Sequence, residues 1–233
     1  MEGNPLKKFV SKNVAAKVPP DNPACPLNGR DVFRALTPHN VIVLEVEVGE
    51  IKAAEREAAL STVGEAVELM ERLTDAVGEA DLLAINNGSK HGNHREREKI
   101  FIDLDRPREI YGAVNGRFGV SIAQHGITGT PLHLIGRFAD CGIRKGNVGT
   151  QRQNVAHAGL PPDRMRRMRE WAKEAGKDIQ FATKQFKQEI GEVPAGYARG
   201  IEDAASREAL TLLRAFRAEG TARIVADTPT TRV

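Results

Sequence analysis

A chain of 233 residues with 40% hydrophobic and 28% charged residues matches ordinary globular usage and is long enough for one sizeable core. No apolar run approaches the ~20 residues of a membrane helix, and the basic N-terminal segment lacks the apolar stretch of a secretory signal, so the expectation is a cytoplasmic protein without a membrane partner. The formal charge of +3 arises from basic residues interleaved with acidic ones, which argues against nucleic acid, and Cys25 and Cys141 form neither a disulfide framework nor a CxxC pair.

In chain order, the Pro- and Asn-rich first 27 residues read as a loose arm, followed by a short helix over Asp31 to Leu36 that Pro38 stops. Dense Val and Ile from Val41, passing into Glu-x-Glu alternation, predict a strand. Ala66, Val67, Met70, Leu73 and Val77 recur at helical spacing, and the run ADLLAINNG at 80–88 is strand-like. A charged stretch at 93–99 precedes a helix around Arg106 to Asn115, a strand from Val120 to Gln124, and a helix after Pro131 that carries Leu132, Ile135, Phe138 and Ala139 and ends at Gly142. Ile143 to Gly149 reads as a further strand. Alternation at this pace predicts a parallel α/β sheet with right-handed crossovers, either a doubly wound sheet or a barrel. Two amphipathic helices are expected over 163–190 and 202–219, with a frayed tail after them. The expected organisation is an arm over 1–40, a β/α part over 41–160 and a helical segment over 161–233.

In parallel β/α architectures the chemistry collects at the C-terminal ends of the strands. Those ends read EVEVG at 45–49, NNGSKHG at 86–92, QHGITG at 124–129 and KGNVGT at 145–150. Two of them finish in His-Gly. Neutral imidazoles suit Zn²⁺, so His91 and His125 are candidate ligands, and the glycines after them, Gly92 and Gly126, let backbone amides approach an anion. GITGT places Thr128, Gly129 and several N–H donors at a helix start, a candidate phosphate cradle. A single strand-end histidine is more often an ordinary hydrogen-bonded residue, but two His-Gly pairs and a Gly-rich helix start at the same end of successive strands favour ligands; the alternative is an acid/base pair in an unrelated phosphate-binding isomerase. His39, His94, His133 and His157 have no such placement.

These segments resemble the class II, zinc-dependent fructose-bisphosphate and ketose-bisphosphate aldolases over roughly residues 41–155. The family carries Glu-x-Glu-x-Gly, Gly-x-x-His-Gly, His-Gly-x-Ser/Thr-Gly and Lys-x-Asn-x-x-Thr in that order, matched here by Glu45 to Gly49, Gly88 to Gly92, His125 to Gly129 and Lys145 to Thr150. The resemblance implies a TIM-barrel-type (β/α) fold, here an incomplete barrel formed from its second half with extra C-terminal helices. It implies Zn²⁺ held by His91 and His125 with Glu47, and catalytic carboxylates at Glu47 and, more loosely, Glu55. Gly92, Arg95, Gly126, Thr128, Gly129, Asn147 and Thr150 fall on positions for substrate phosphate or hydroxyls. The implied activity is reversible aldol cleavage of a ketose bisphosphate by a homo-oligomer. Three departures stand out: Gly149 replaces an Asp, the Gly-Gly-Glu-Glu-Asp loop is replaced by Glu50 to Glu57, and no Asp-His pair supplies a third zinc ligand. The alternative is a catalytically impaired or truncated homologue that binds phosphate or a partner chain.

Overall fold

A computed structural model of the chain describes residues 44–48, 60–77, 80–94 and 100–221. The expected N-terminal arm, the helix over 31–36, the start of the first strand and the tail after 221 lie outside the described residues. Two compact units emerge, one containing residues up to Ile127 with Arg137–Asn147, the other Thr128–Gly136 with the chain from Val148 onward.

The first unit is a parallel sheet in the order β1 (Glu45–Val48), β2 (Leu82–Ile85), β3 (Ser121–Gln124), β4 (Ile143–Gly146). Its crossovers include α1 (Val63–Val77) and α2 (Asp105–Phe118). The α/β class read from the alternation is therefore found, with β2, β3 and β4 inside the segments expected to be strands.

Local chemistry explains the boundaries. At the start of α1, Thr62 and Glu65 form a capping box: the Glu65 N–H donates to Thr62 Oγ1 at 3.2 Å, and the Thr62 N–H donates to Glu65 Oε2 at 2.8 Å. Asp103 caps α2, its Oδ1 accepting from the Asp105 and Arg106 N–H groups at 2.9 and 3.1 Å. Gly119, at φ 69°, closes that helix in the left-handed region. On one sheet face Val46, Val48, Leu83, Ile85 and Ile122 are buried, and α1 and α2 contribute buried Ala66, Leu69, Met70, Leu73, Ile110 and Val114. On the opposite face the register sets Glu45 beside Leu82 and Glu47 beside Ala84 and, through it, Ala123. The small side chains of Ala84 and Ala123 leave room beside the Glu47 carboxylate.

The expected single helix after Pro131 is two short pieces, α3 (Leu132–Ile135) and a 3-10 turn (Phe138–Cys141). Gly136 interrupts them where the carbonyl oxygen of Ala215 passes close by.

In the second unit, α4 (Thr150–Ala158) was not expected from the sequence, because its apolar positions show no helical period. The helix expected over 163–190 is α5 (Pro162–Glu174), ended at Gly176 in a left-handed conformation of φ 60°, followed by a 3-10 turn (Ile179–Phe181) and short α6 (Ala182–Gln185) and α7 (Lys187–Gly191). These pieces close around Leu160, Met165, Met168, Ala182 and Phe186, with Trp171, Ile179 and Ile201 packed against that cluster. The expected helix over 202–219 begins earlier, as α8 (Ala195–Ala215).

Candidate functional site

The strand ends of the first unit gather a polar cluster on the carboxylate-bearing face. Glu45 on β1 is its hub. Glu45 Oε1 lies 2.6 Å from His125 Nε2, its Oε2 accepts from Lys145 Nζ at 2.6 Å, and Asn147 Nδ2 stands 3.3 Å from Oε1. Three strands contribute: β1 supplies Glu45, β3 is followed at once by His125, and β4 carries Lys145 and leads into Asn147. A register shift between Ile122 and Ala123 sets Lys145 opposite Ala123, which delivers its ammonium to this face.

Electrostatics fix the protonation of the hub. Burial pushes the Glu45 carboxyl up, but the hydrogen bonds and charges of His125 and Lys145 outweigh it and bring the pKa down from 4.5 to about 2. Glu45 is therefore an acceptor only, and the short bond requires His125 to donate its Nε2 proton. Asn147 Nδ2 also lies 2.8 Å from His125 Nε2. With that nitrogen already protonated, the Asn147 amide donates to the carboxylate instead.

His91 stands at the end of the neighbouring loop, its ring edge-to-face with His125 at 5.6 Å between centroids and 85° between planes. Partial burial, then the neighbouring His125, lowers its pKa and favours the neutral ring. Gly126 sets this approach. It has φ 66°, and a Cβ built there would lie 2.7 Å from the Lys90 carbonyl oxygen, so only glycine lets the His125 loop press on the backbone before His91. Glu47 shares a sheet face with Glu45, and its pKa is raised by burial and by the Glu45 charge against the opposing pull of His125.

Beneath the cluster lies a buried amide pair. Asn87 Nδ2 donates to Gln124 Oε1 at 2.8 Å, and Gln124 Nε2 donates back to Asn87 Oδ1 at 3.1 Å and to Ser89 Oγ at 3.0 Å. Gln124 Nε2 also reaches the His125 carbonyl at 2.6 Å. This network ties the loop after β2 to the residue preceding His125, and nothing in a hydropathy pattern marks it.

The other expected site residues fall as follows. Gly92 takes φ 90° with open space around it, which suits a backbone amide exposed to an anion. Glu55 and Arg95 lie outside the described residues. Thr128, Gly129 and Thr150 belong to the second unit, where Thr128 Oγ1 accepts from the Gln151 N–H at 3.1 Å at the start of α4. The hydroxyl read as a phosphate contact thus already caps a helix. Sequence reasoning singled out Glu47 and passed over Glu45 and Lys145; the signal for both was present, in the first Glu of Glu-x-Glu and the Lys of Lys-x-Asn.

Two imidazoles in this arrangement, one held neutral and the other with its Nε2 proton committed, suit two positions of a zinc ion. The described residues do not gather a third donor: none of their His, Cys, Asp and Glu side chains form a group of three or more that could hold a metal. No helix among the described residues is long and apolar enough to cross a membrane.

No curated protein matches the sequence. Among solved structures, the YdjI aldolase from Escherichia coli K12 superposes with a TM-score of 0.53 at 19% identity, covering 83% of this chain and 55% of that one. A protein from Coccidioides immitis assigned as a fructose-1,6-biphosphate aldolase gives 0.52 at 19% identity, with coverage of 84% and 59%. A fructose-bisphosphate aldolase from Campylobacter jejuni gives 0.50 at 14% identity, with coverage of 80% and 55%. The chain therefore spans little more than half the length of these structures, and its described sheet is a segment of a β/α barrel, an incomplete barrel with four strands among the described residues. The family profile for class II fructose-bisphosphate aldolase matches residues 28–219, most of the sequence. The chain belongs to the class II fructose-bisphosphate aldolase family.

Proposed function

We propose that this chain provides an aldolase-type site for reversible aldol cleavage of a phosphorylated ketose such as fructose 1,6-bisphosphate, with His91 and His125 as zinc ligands. The observation that carries this reading is the edge-to-face His91–His125 pair, 5.6 Å apart, backed by the Glu45–Lys145–Asn147 cluster at the ends of parallel strands. Zinc bound by His91 and His125, which Glu47 would have to shift to join as a third ligand, would polarise a substrate carbonyl oxygen.

The chain's own groups have separable tasks. Glu45 and the Gln124–Asn87 pair orient His125 and the loop that carries it. A Glu47 left off the metal, its carboxyl raised above the usual range by burial, suits taking up and returning a substrate hydroxyl proton. Glu55 is a second candidate for that role. The amide of Gly92 and the side chain of Arg95 would bind one phosphate, with Gly126 and Asn147 at the strand ends beside the two imidazoles. The functional form is a cytoplasmic homo-oligomer.

A second reading, a catalytically impaired family member that still binds phosphate, draws on the missing three-donor group among the described residues. Metal analysis of the purified chain beside an aldol-cleavage assay, with and without chelator, separates the two. One zinc per chain and chelator-sensitive cleavage of fructose 1,6-bisphosphate is the expected result. A folded, phosphate-binding protein with neither zinc nor cleavage would establish the second reading instead.

A further inference from the structure

We propose that His157 is an acid-sensitive latch in the helical unit: as a neutral ring it pins the C-terminal half of α4 to the segment 179–185, and on taking up a proton it lets the two part. The latch lies within one compact unit and does not depend on how the strand ends are used.

The ring sits where a proton is hard to place. Only 6% of His157 is exposed. Its Nε2 lies 2.9 Å from Thr183 Oγ1, and Gln153, one turn earlier on α4, donates from Nε2 to the same hydroxyl at 2.7 Å and to the Gln180 carbonyl at 3.0 Å. These bonds tie α4 to the segment beyond Gly176. Among the described residues nothing pairs with His157 Nδ1, which is buried. In the neutral ring that nitrogen can remain a bare lone pair, with the proton on Nε2 donated to Thr183. The imidazolium carries protons on both nitrogens, so it would bury a charge together with an N–H that has no acceptor.

Among the described residues no charged side chain offsets that cost. Arg152 on α4 donates to the Ala205 carbonyl at 2.7 Å, and on α8 Glu208 accepts from Gln151 at 2.9 Å while Glu202, Asp203 and Arg207 are exposed. Lys184, next to Thr183, is exposed, and on α5 Arg164 and Arg167 pair with Glu189. Burial alone therefore lowers the His157 pKa below its ordinary 6.5. Once the ring is released the ordinary value returns, so opening takes up a proton, and the latch, at full strength above 6.5, weakens as pH falls below it.

The test is amide hydrogen exchange of the full chain, mapped by segment at about pH 7.5 and about pH 5.5 and corrected for intrinsic rates, beside an NMR titration of the histidine rings. His157 is expected to titrate below 6.5. Opening of 153–158 and 179–185 is expected to become up to about tenfold more frequent at the lower pH, while α1 and α2 keep their protection. His157→Gln keeps an N–H for Thr183 and cannot take up a proton, so its opening is expected to be the same at both pH values. A wild-type His157 that titrates at or above 6.5 overturns the proposal even if the variant does not fold, as does exchange in the two segments that ignores pH. A His157→Gln protein that opens with acid as wild type does, or an acid effect shared equally by α1 and α2, also overturns it.

Discussion

The strand ends of the sheet unit and the helical second unit are stabilised in opposite ways. Around His125, polar groups satisfy one another: half-buried Glu45 with His125 and with the exposed Lys145, and buried Gln124 with Asn87 and Ser89. In the helical unit the core cluster is Leu160, Met165, Met168, Ala182 and Phe186, and ion pairs such as Arg166–Glu170 and the bidentate Arg167–Glu189 lie on the surface. Buried polar networks demand every partner at once, because an unpaired member carries its full desolvation penalty. Apolar packing tolerates exchange of shape, and exposed ion pairs contribute little. The first region is thus built for fixed geometry, the second for bulk stability.

Three perturbations sharpen this contrast. Gly126→Ala combines a left-handed backbone with a clash against the Lys90 backbone, which cannot yield as a side chain tip would. A loss of about 4 kcal/mol is expected, together with separation of the two imidazoles, read by denaturant unfolding and by the histidine ring resonances. A neutral effect would remove the close-approach argument. Met168→Ala empties part of the helical core, where Met168 is fully buried. It should cost about 3 kcal/mol while leaving the His91 and His125 resonances in place. Histidine shifts as large as those of Gly126→Ala would erase the distinction between the regions.

Strong acid should act mainly on the polar region. The folded-state pKa of Glu45, about 2, lies below the ordinary 4.5, so its contribution is fully present above pH 4.5 and is lost as pH falls toward 2. Discounted for residual solvent contact, the loss is about 2 kcal/mol. Unfolding curves of wild type and Glu45→Gln between pH 7 and 2.5 should converge at the acid end, and parallel curves would refute the shift.

Much of the sheet was legible because its signals are local. A short apolar run such as LLAI at 82–85, bounded by the Asn-Asn-Gly turn signal, reads as a buried strand, and the Thr62–Glu65 box and Gly119 mark helix ends by their own chemistry. The helical unit was less legible. Gly176 gives a stop signal inside the expected helix over 163–190, yet the apolar period runs on across it, because the short pieces beyond contribute Ala182 and Phe186 to the same core as α5. Thr128 shows the same limit at the site, since a hydroxyl in a glycine-rich loop reads alike whether it meets a ligand or caps the next helix.

By itself the sequence determined the family, the alternation of strands and helices, and the placement of His91 and His125 after strands, since each depends on residue type and spacing along one stretch of chain. Only the tertiary structure decided which carboxylate meets His125. Glu45 and Glu47 share one face of the same strand and are equivalent to any pattern of period two. The register across the sheet, the irregularity at Ile122 and Ala123, and the close approach at Gly126 bring Glu45 to His125 and Lys145, 80 and 100 positions away, and together they select Glu45.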